Sequence, residues 1–207
     1  CIANMHAGVP IACLTNPMLG HESEPLQPAE KAKKVYVIGG GVAGMYAAYI
    51  AKERGHEVTL FEASDKLGGN MRLAAFPPGK GDITNMIRNY IVKCEKAGVD
   101  IKLNTTVTVD MLKEDRPDAV ILATGSVPAV PPIPGVKENA ACVDSTGALA
   151  FDHVPETLLV IGGGVIGMEL ATAYSRFGAK VTVVEAMPKL LPMMDGELTA
   201  MLRKKME

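Results

Sequence analysis

At 207 residues the chain can form one large or two small domains, and 48% hydrophobic with 21% charged residues is an ordinary globular composition. A formal net charge of −2 gives no sign of a nucleic-acid or membrane surface. The four cysteines, Cys1, Cys13, Cys94 and Cys142, include no C-x-x-C pair, so a reducing, cytoplasmic setting is expected. Residues 1–34 lack strong periodicity and carry Pro10, Pro17, Pro25 and Pro28, which reads as an extended segment and linker. No leader is visible, and a start at Cys1 rather than methionine suggests a piece of a longer polypeptide.

Val35–Ile38 is a short apolar run that enters a glycine turn at Gly39, Gly41 and Gly44. A helical segment follows from Val42 and Ala43 to about Arg54; Gly55 breaks it, and Val58–Phe61 forms a second apolar run ending in Glu62. In such a G-x-G-x-x-G unit the first glycine permits the turn, the second lets backbone approach a pyrophosphate, and the third lets helix pack on strand. Glu62, 21 residues beyond Gly41, has the spacing of the carboxylate that accepts ribose hydroxyls. Glycines serving only packing would leave that acid without a role. Alanine at Glu62 should therefore weaken dinucleotide retention and leave the fold intact. Val35–Ala51 contains no charge over 17 positions, but it is short for a membrane span and holds four turn glycines.

Beyond Glu62 and Ala63, Gly68-Gly69-Asn70 marks a turn able to bring backbone to a ligand, and 71–81 reads as a loop. Asp82 is a good N-cap for a helix over Ile83–Ala97, with Cys94 on its core face and Gly98 ending it. Val99, Ile101 and Leu103, then Val107 and Val109, alternate with polar residues as short strands. Ala119–Ala123 is wholly apolar and suits a buried parallel strand, whose exit at Thr124-Gly125 should face the cofactor. Val127–Gly135, with four prolines, is a stiff connection, and Cys142 and Asp144 carry no assigned chemistry.

The whole unit then recurs over Leu158–Pro192. Gly162, Glu185 and Lys189 each stand 123 residues after Gly39, Glu62 and Lys66, with no gap. Two fingerprints imply two dinucleotide sites, and electrons moving between them. The expected fold is therefore α/β, with two Rossmann-like dinucleotide-binding units: a linker over 1–32, an FAD domain over 33–154, and the first part of an NAD(P) domain over 155–207. The second unit is incomplete as read, so open sheet edges and self-association are expected.

With VIGGGVAG, LGG, ILATG, VIGGGVIGMELA and VVE in register, residues 33–207 resemble the pyridine nucleotide–disulfide oxidoreductase-like flavoproteins. The resemblance implies that Gly39, Gly41, Val42, Ala43, Gly44, Glu62 and Ala63 hold the ADP part of FAD. Gly69, Asn70 and the turn Ala123, Thr124 and Gly125 would lie along it, and Val107 would offer backbone to adenine. Gly162, Gly164, Val165, Ile166, Gly167 and Glu185 would hold a nicotinamide dinucleotide, with Glu169 near its nicotinamide end. Glu185, with no arginine close behind it, favours NADH over NADPH. No catalytic residue is named. A disulfide reductase carries a C-x4-C pair after LGG, where this chain reads NMRLAAFPPG, so thiol–disulfide chemistry is not expected.

The finer resemblance is to the C-terminal part of old-yellow-enzyme-like NADH:flavin oxidoreductases, on LGGNMRLAAFPPGKGDI and CLTNPMLGHE. It implies an FMN-containing TIM-barrel domain in the parent protein, supplied with electrons by FAD. Cys1 and Cys13 resemble the outer ligands of that subgroup's iron–sulfur cluster. Two thiolates cannot supply four ligands, and His6 would not complete the set, so no cluster is expected here. The other reading is a module that holds a dinucleotide or ADP without turnover, or a truncated product without function.

Overall fold

The computed structural model describes residues 8–13 and 15–206, so Cys1 and His6 lie outside the described residues. The chain divides into two compact units, one up to Ser126 and one from Val127. Among the described residues no helix is long and apolar enough to cross a membrane.

In the first unit β1 (Lys34–Ile38) leads through the glycine turn into α1 (Val42–Glu53), and β2 (Glu57–Phe61) returns beside β1. A single turn of helix, α2 (Met71–Ala74), precedes α3 (Asp82–Ala97), β3 (Asp100–Lys102), α4 (Val109–Asp115) and β4 (Ala119–Leu122). The sheet is wholly parallel in the order β3-β2-β1-β4. Val37 lies opposite Leu60 on one side and Ile121 on the other. One face carries the core: Val37 and Leu60 pack under Met45 and Ala48 of α1, and Met86, Ile87, Tyr90 and Cys94 of α3 close over them. The Cys94 thiol, as expected a core group, donates to the Met45 carbonyl at 3.2 Å, and burial pushes its pKa up to about 11. Tyr90 stands edge-on to Tyr46, and its hydroxyl donates to the Thr15 carbonyl, which ties the N-terminal segment to α3.

Several sequence expectations are corrected here. Asp82 is the first helical residue rather than the cap; Gly81 takes the cap position and no side chain caps that end. The stretch 71–81 contains a helical turn, not only loop. Val107 and Val109 form no strand: Thr108 is extended, its hydroxyl accepts from the Met111 N–H, and Val109 opens α4. An alternation of three residues cannot outweigh a threonine cap with Asp110 in the first turn. β4 is parallel but not buried, being an edge strand with Leu122 74% exposed. On that second face Tyr36 meets Phe61 edge to face at 4.9 Å and donates to Asp115 at 2.9 Å.

In the second unit α5 (Ser145–Leu149) precedes β5 (Thr157–Ile161), α6 (Val165–Arg176), β6 (Lys180–Val184) and α7 (Gly196–Met206). β5 and β6 pair in parallel, Thr157 opposite Lys180 and Ile161 opposite Val184. Met168, Ala171 and Tyr174 form the buried face of α6. Asp144 has a structural role after all: its carboxylate accepts the Gly147 N–H at 2.8 Å and caps α5.

Candidate dinucleotide-binding turns

Each unit presents the same device at the exit of its first strand. Gly39 turns the chain at φ +111°, and a Cβ there would stand 2.3 Å from the Ala123 carbonyl oxygen. A Cβ on Gly44 would lie 1.8 Å from the Gly39 oxygen, and one on Gly167 2.1 Å from the Gly162 oxygen. Both third glycines are thus required by helix–strand packing. The turn amides of Gly39 and Gly162 donate to the second strand, to Phe61 and Val184, each at 2.8 Å.

The two acids do more than wait for a ribose. Glu62 Oε2 accepts the N–H of Gly40 at 2.7 Å, and Oε1 accepts both the N–H and the hydroxyl of Ser64 at 2.8 Å. Glu185 repeats this on Gly163 at 2.6 Å and Met187 at 2.7 Å. An acid at the end of the second strand therefore has a structural use of its own, contrary to the sequence argument that only a ligand explains it. Burial alone would raise the Glu62 carboxyl, but the bonds from Ser64 and Gly40 outweigh it and hold its pKa below the ordinary value. Glu185 is held down by the N–H groups of Met187 and Gly163.

A folded pKa below the unfolded one contributes stability that is complete above the unfolded value, near 4.3 for a glutamate, and is lost as pH falls through the folded value. The chain should therefore melt progressively lower as pH drops below about 4.5, and Glu62→Gln should flatten that dependence. Melting curves from pH 7 to pH 3 check it; parallel profiles would show that Glu62 carries none of the effect.

What packing does not explain is the middle glycine. Gly41 and Gly164 have extended backbones (φ −69°, ψ 177° and φ −75°, ψ 179°) that any residue adopts, and a Cβ on either would meet nothing within 4 Å. Neither conformation nor neighbour demands glycine at these positions, and each opens onto a helix N-terminus whose first N–H groups lack intrahelical acceptors. The donor set and the vacant space suit a pyrophosphate.

Around the first turn the structure gathers most of the expected residues. Gly68 donates to the Gly40 carbonyl at 2.8 Å and bridges Gly41. Ala123 donates to Ile38 at 2.8 Å beside Gly39, with Thr124 and Gly125 exposed beyond it. Thr105 donates to the Glu62 carbonyl at 2.9 Å, and Val107 follows two residues beyond Thr105 in irregular backbone. Asn70 is exposed at the start of α2, and Glu169 is exposed on α6. The sequence reading missed Gly40, Ser64, Gly163 and Met187. Extending the 123-residue repeat to every position would have paired Gly40 with Gly163 and Leu67 with Leu190. Cys13 is half-exposed, Cys94 buried and Cys142 exposed, all unpaired, and the described residues hold no cluster of three or more metal-ligating side chains.

Two parallel βαβ units with glycine turns and strand-end acids define a dinucleotide-binding α/β protein. Residues 33–207 match the family described as pyridine nucleotide-disulphide oxidoreductase, and the chain belongs to that family. It is 38% identical over 182 residues to a bilirubin reductase of Mediterraneibacter gnavus, covering 87% of this chain and 28% of that protein. It is 40% identical over 183 residues to an NADH oxidase of Thermoanaerobacter brockii, covering 84% and 28%. Among solved structures, a 2-naphthoyl-CoA reductase matches over all of this chain and 32% of its own, with TM-score 0.68 and 31% identity. A histamine dehydrogenase from Rhizobium sp. 4-9 shares the fold at TM-score 0.66 and 20% identity, over 92% of this chain and 30% of its own. The chain thus spans under a third of the length of these proteins. The resemblance read from the motifs is borne out: the chain belongs to that family and carries its dinucleotide-binding α/β fold.

Proposed function

We propose that the chain is the NADH-accepting, FAD-binding module of a larger oxidoreductase, with FAD on the first turn and NADH on the second. Electrons then pass to an acceptor centre, an FMN-bearing barrel, in the remainder of the protein. The reading rests above all on Gly41 and Gly164, the middle glycines of the two turns, which neither their backbone conformation nor a neighbouring atom requires. The names of its relatives, among them an NADH oxidase and a cinnamate reductase, are consistent with it. The bound nucleotides supply hydride-transfer chemistry, which needs no protein acid or base. The chain's own residues bind and orient: Gly39, Val42, Ala43 and Gly44 offer backbone to the first pyrophosphate, Gly162, Val165, Ile166 and Gly167 to the second, and Glu62 and Glu185 face the riboses.

NADH is preferred over NADPH for an electrostatic reason. Both Glu185 oxygens are fixed by backbone donors, and the Lys189 ammonium points instead to the Met194 carbonyl at 3.2 Å. A 2′-phosphate would then meet an ionised carboxylate.

The test is the visible spectrum of the purified 207-residue chain reconstituted with FAD, followed by addition of NADH or NADPH. A flavin band near one equivalent that bleaches faster with NADH is the expected result. A chain that binds ADP or NAD but never bleaches would instead be a nucleotide-holding module without turnover.

A further inference from the structure

The two turns are built alike up to one point in the loop that follows the second strand. Leu67 and Leu190 each lean on the middle of their turn, with Cδ2 2.5 Å from where a Cβ of Gly40 or Gly163 would stand. The next residue in each loop donates to that glycine's carbonyl, Gly68 to Gly40 at 2.8 Å and Leu191 to Gly163 at 2.9 Å.

There the likeness ends. Gly68 has φ +112° and Gly69 φ +53°, and Gly69 comes so near the turn that a Cβ would sit 3.2 Å from the Gly41 Cα. Gly41 and Gly68 form a parallel bridge that has no counterpart among the described residues of the second unit. In the second loop Leu191 takes φ +48°, a left-handed backbone costly for leucine, and Pro192 stands where Gly69 stands in the first. A proline ring needs more room than the Cβ that Gly69 can scarcely accommodate, and it has no N–H to offer. The second turn is more open at two positions: Gly164 and Val165 are exposed where Gly41 and Val42 are half-buried, while Ile166 and its counterpart Ala43 are both exposed.

We infer that this loop decides which dinucleotide stays and which leaves. Gly68-Gly69 roofs the first cradle and adds a backbone donor beside it, which retains the nucleotide there. Leu191-Pro192 leaves the second cradle unroofed and one donor poorer, which lets its nucleotide exchange with solvent. A relay needs this asymmetry, because the oxidised donor has to depart before the next one binds while the acceptor remains. The inference rests on the assignment of NADH to the second turn.

The test is the rate at which NADH leaves the 207-residue chain, followed by stopped-flow fluorescence on displacement with excess NAD⁺. Leu191→Gly/Pro192→Gly should slow release by about tenfold, the worth of one donor facing a phosphate. Pro192→Ala restores the N–H without adding a flexible glycine, and should slow release as well. It carries the test if the double variant fails to fold. Release as fast as or faster than the unmodified chain in the folded variants overturns the inference. If the unmodified chain shows no saturable NADH binding, the nucleotide assignment itself falls, and this inference with it.

Discussion

Alanine at Glu62 is expected to empty the first cradle and to lower the melting temperature, both at once. The sequence alone suggested only the first effect, since it gave Glu62 a ligand to hold and no partner in the protein. The carboxylate in fact joins the turn to the segment after β2, through Gly40 on one oxygen and Ser64 on the other. Ser64 is exposed and can turn to water; Gly40 is buried, and its N–H would lose the acceptor that Glu62 Oε2 provides. An unsatisfied buried amide costs on the order of 1–2 kcal/mol, and over a unit of this size that is roughly 5 °C in melting temperature. The loss of a ribose acceptor, together with a turn no longer held in place, should weaken FAD by about a hundredfold. Glu62→Gln separates the two roles. Its amide oxygen can still accept from Gly40, so the melting temperature should nearly recover, while affinity recovers only in part because the charge is gone. Equilibrium binding of FAD and thermal melting of the three proteins decide it. If alanine lowers neither quantity, the carboxylate holds neither turn nor ribose.

Much of this architecture was legible because the informative residues are those the backbone itself constrains. Gly39, Gly44, Gly55 and Gly98 mark places where a side chain would clash or the chain turns left-handed, and the strands and helices between them fall where expected. The ungapped repeat made the second unit readable from the first. What was not legible depends on which surfaces are covered. Ala119–Leu122 is apolar on both faces, which a reader takes for burial; within this chain only the α1 side is covered, so Leu122 stands bare. Val107 and Val109 alternate like a strand, but Thr108 between them satisfies a helix amide, and a side-chain hydrogen bond leaves no trace in hydrophobic periodicity. One reading of the candidate site is corrected. The acids were treated as pure ligand groups, because a carboxylate bonding backbone 22 residues earlier has the same sequence signature as one waiting for a ribose.

The glycines offer the cleanest separation of fold from function, because two of them three residues apart in one turn answer to different demands. Gly44→Ala would drive a methyl to 1.8 Å from the Gly39 oxygen, which is backbone and cannot swing aside. Helix α1 would have to lift from β1, at a cost of about 3 kcal/mol or more in a core this closely packed, and the first unit should melt far lower or not fold. Gly41→Ala introduces the same methyl into open space on a backbone that alanine readily adopts. Its melting temperature should fall by only a few degrees, because Gly41 is the N-cap of α1, where alanine is less favoured than glycine but nothing clashes. Its affinity for FAD should nevertheless fall by at least a hundredfold, since the methyl occupies the space through which a pyrophosphate approaches the helix N-terminus. Gly164→Ala should do the same for NADH in the second unit and leave FAD binding alone. Isothermal titration beside thermal melting distinguishes these cases. A Gly41→Ala chain that keeps full FAD affinity would mean that the open space beside the first turn is not where the nucleotide lies, and the residue that carries the functional reading would have to be sought elsewhere.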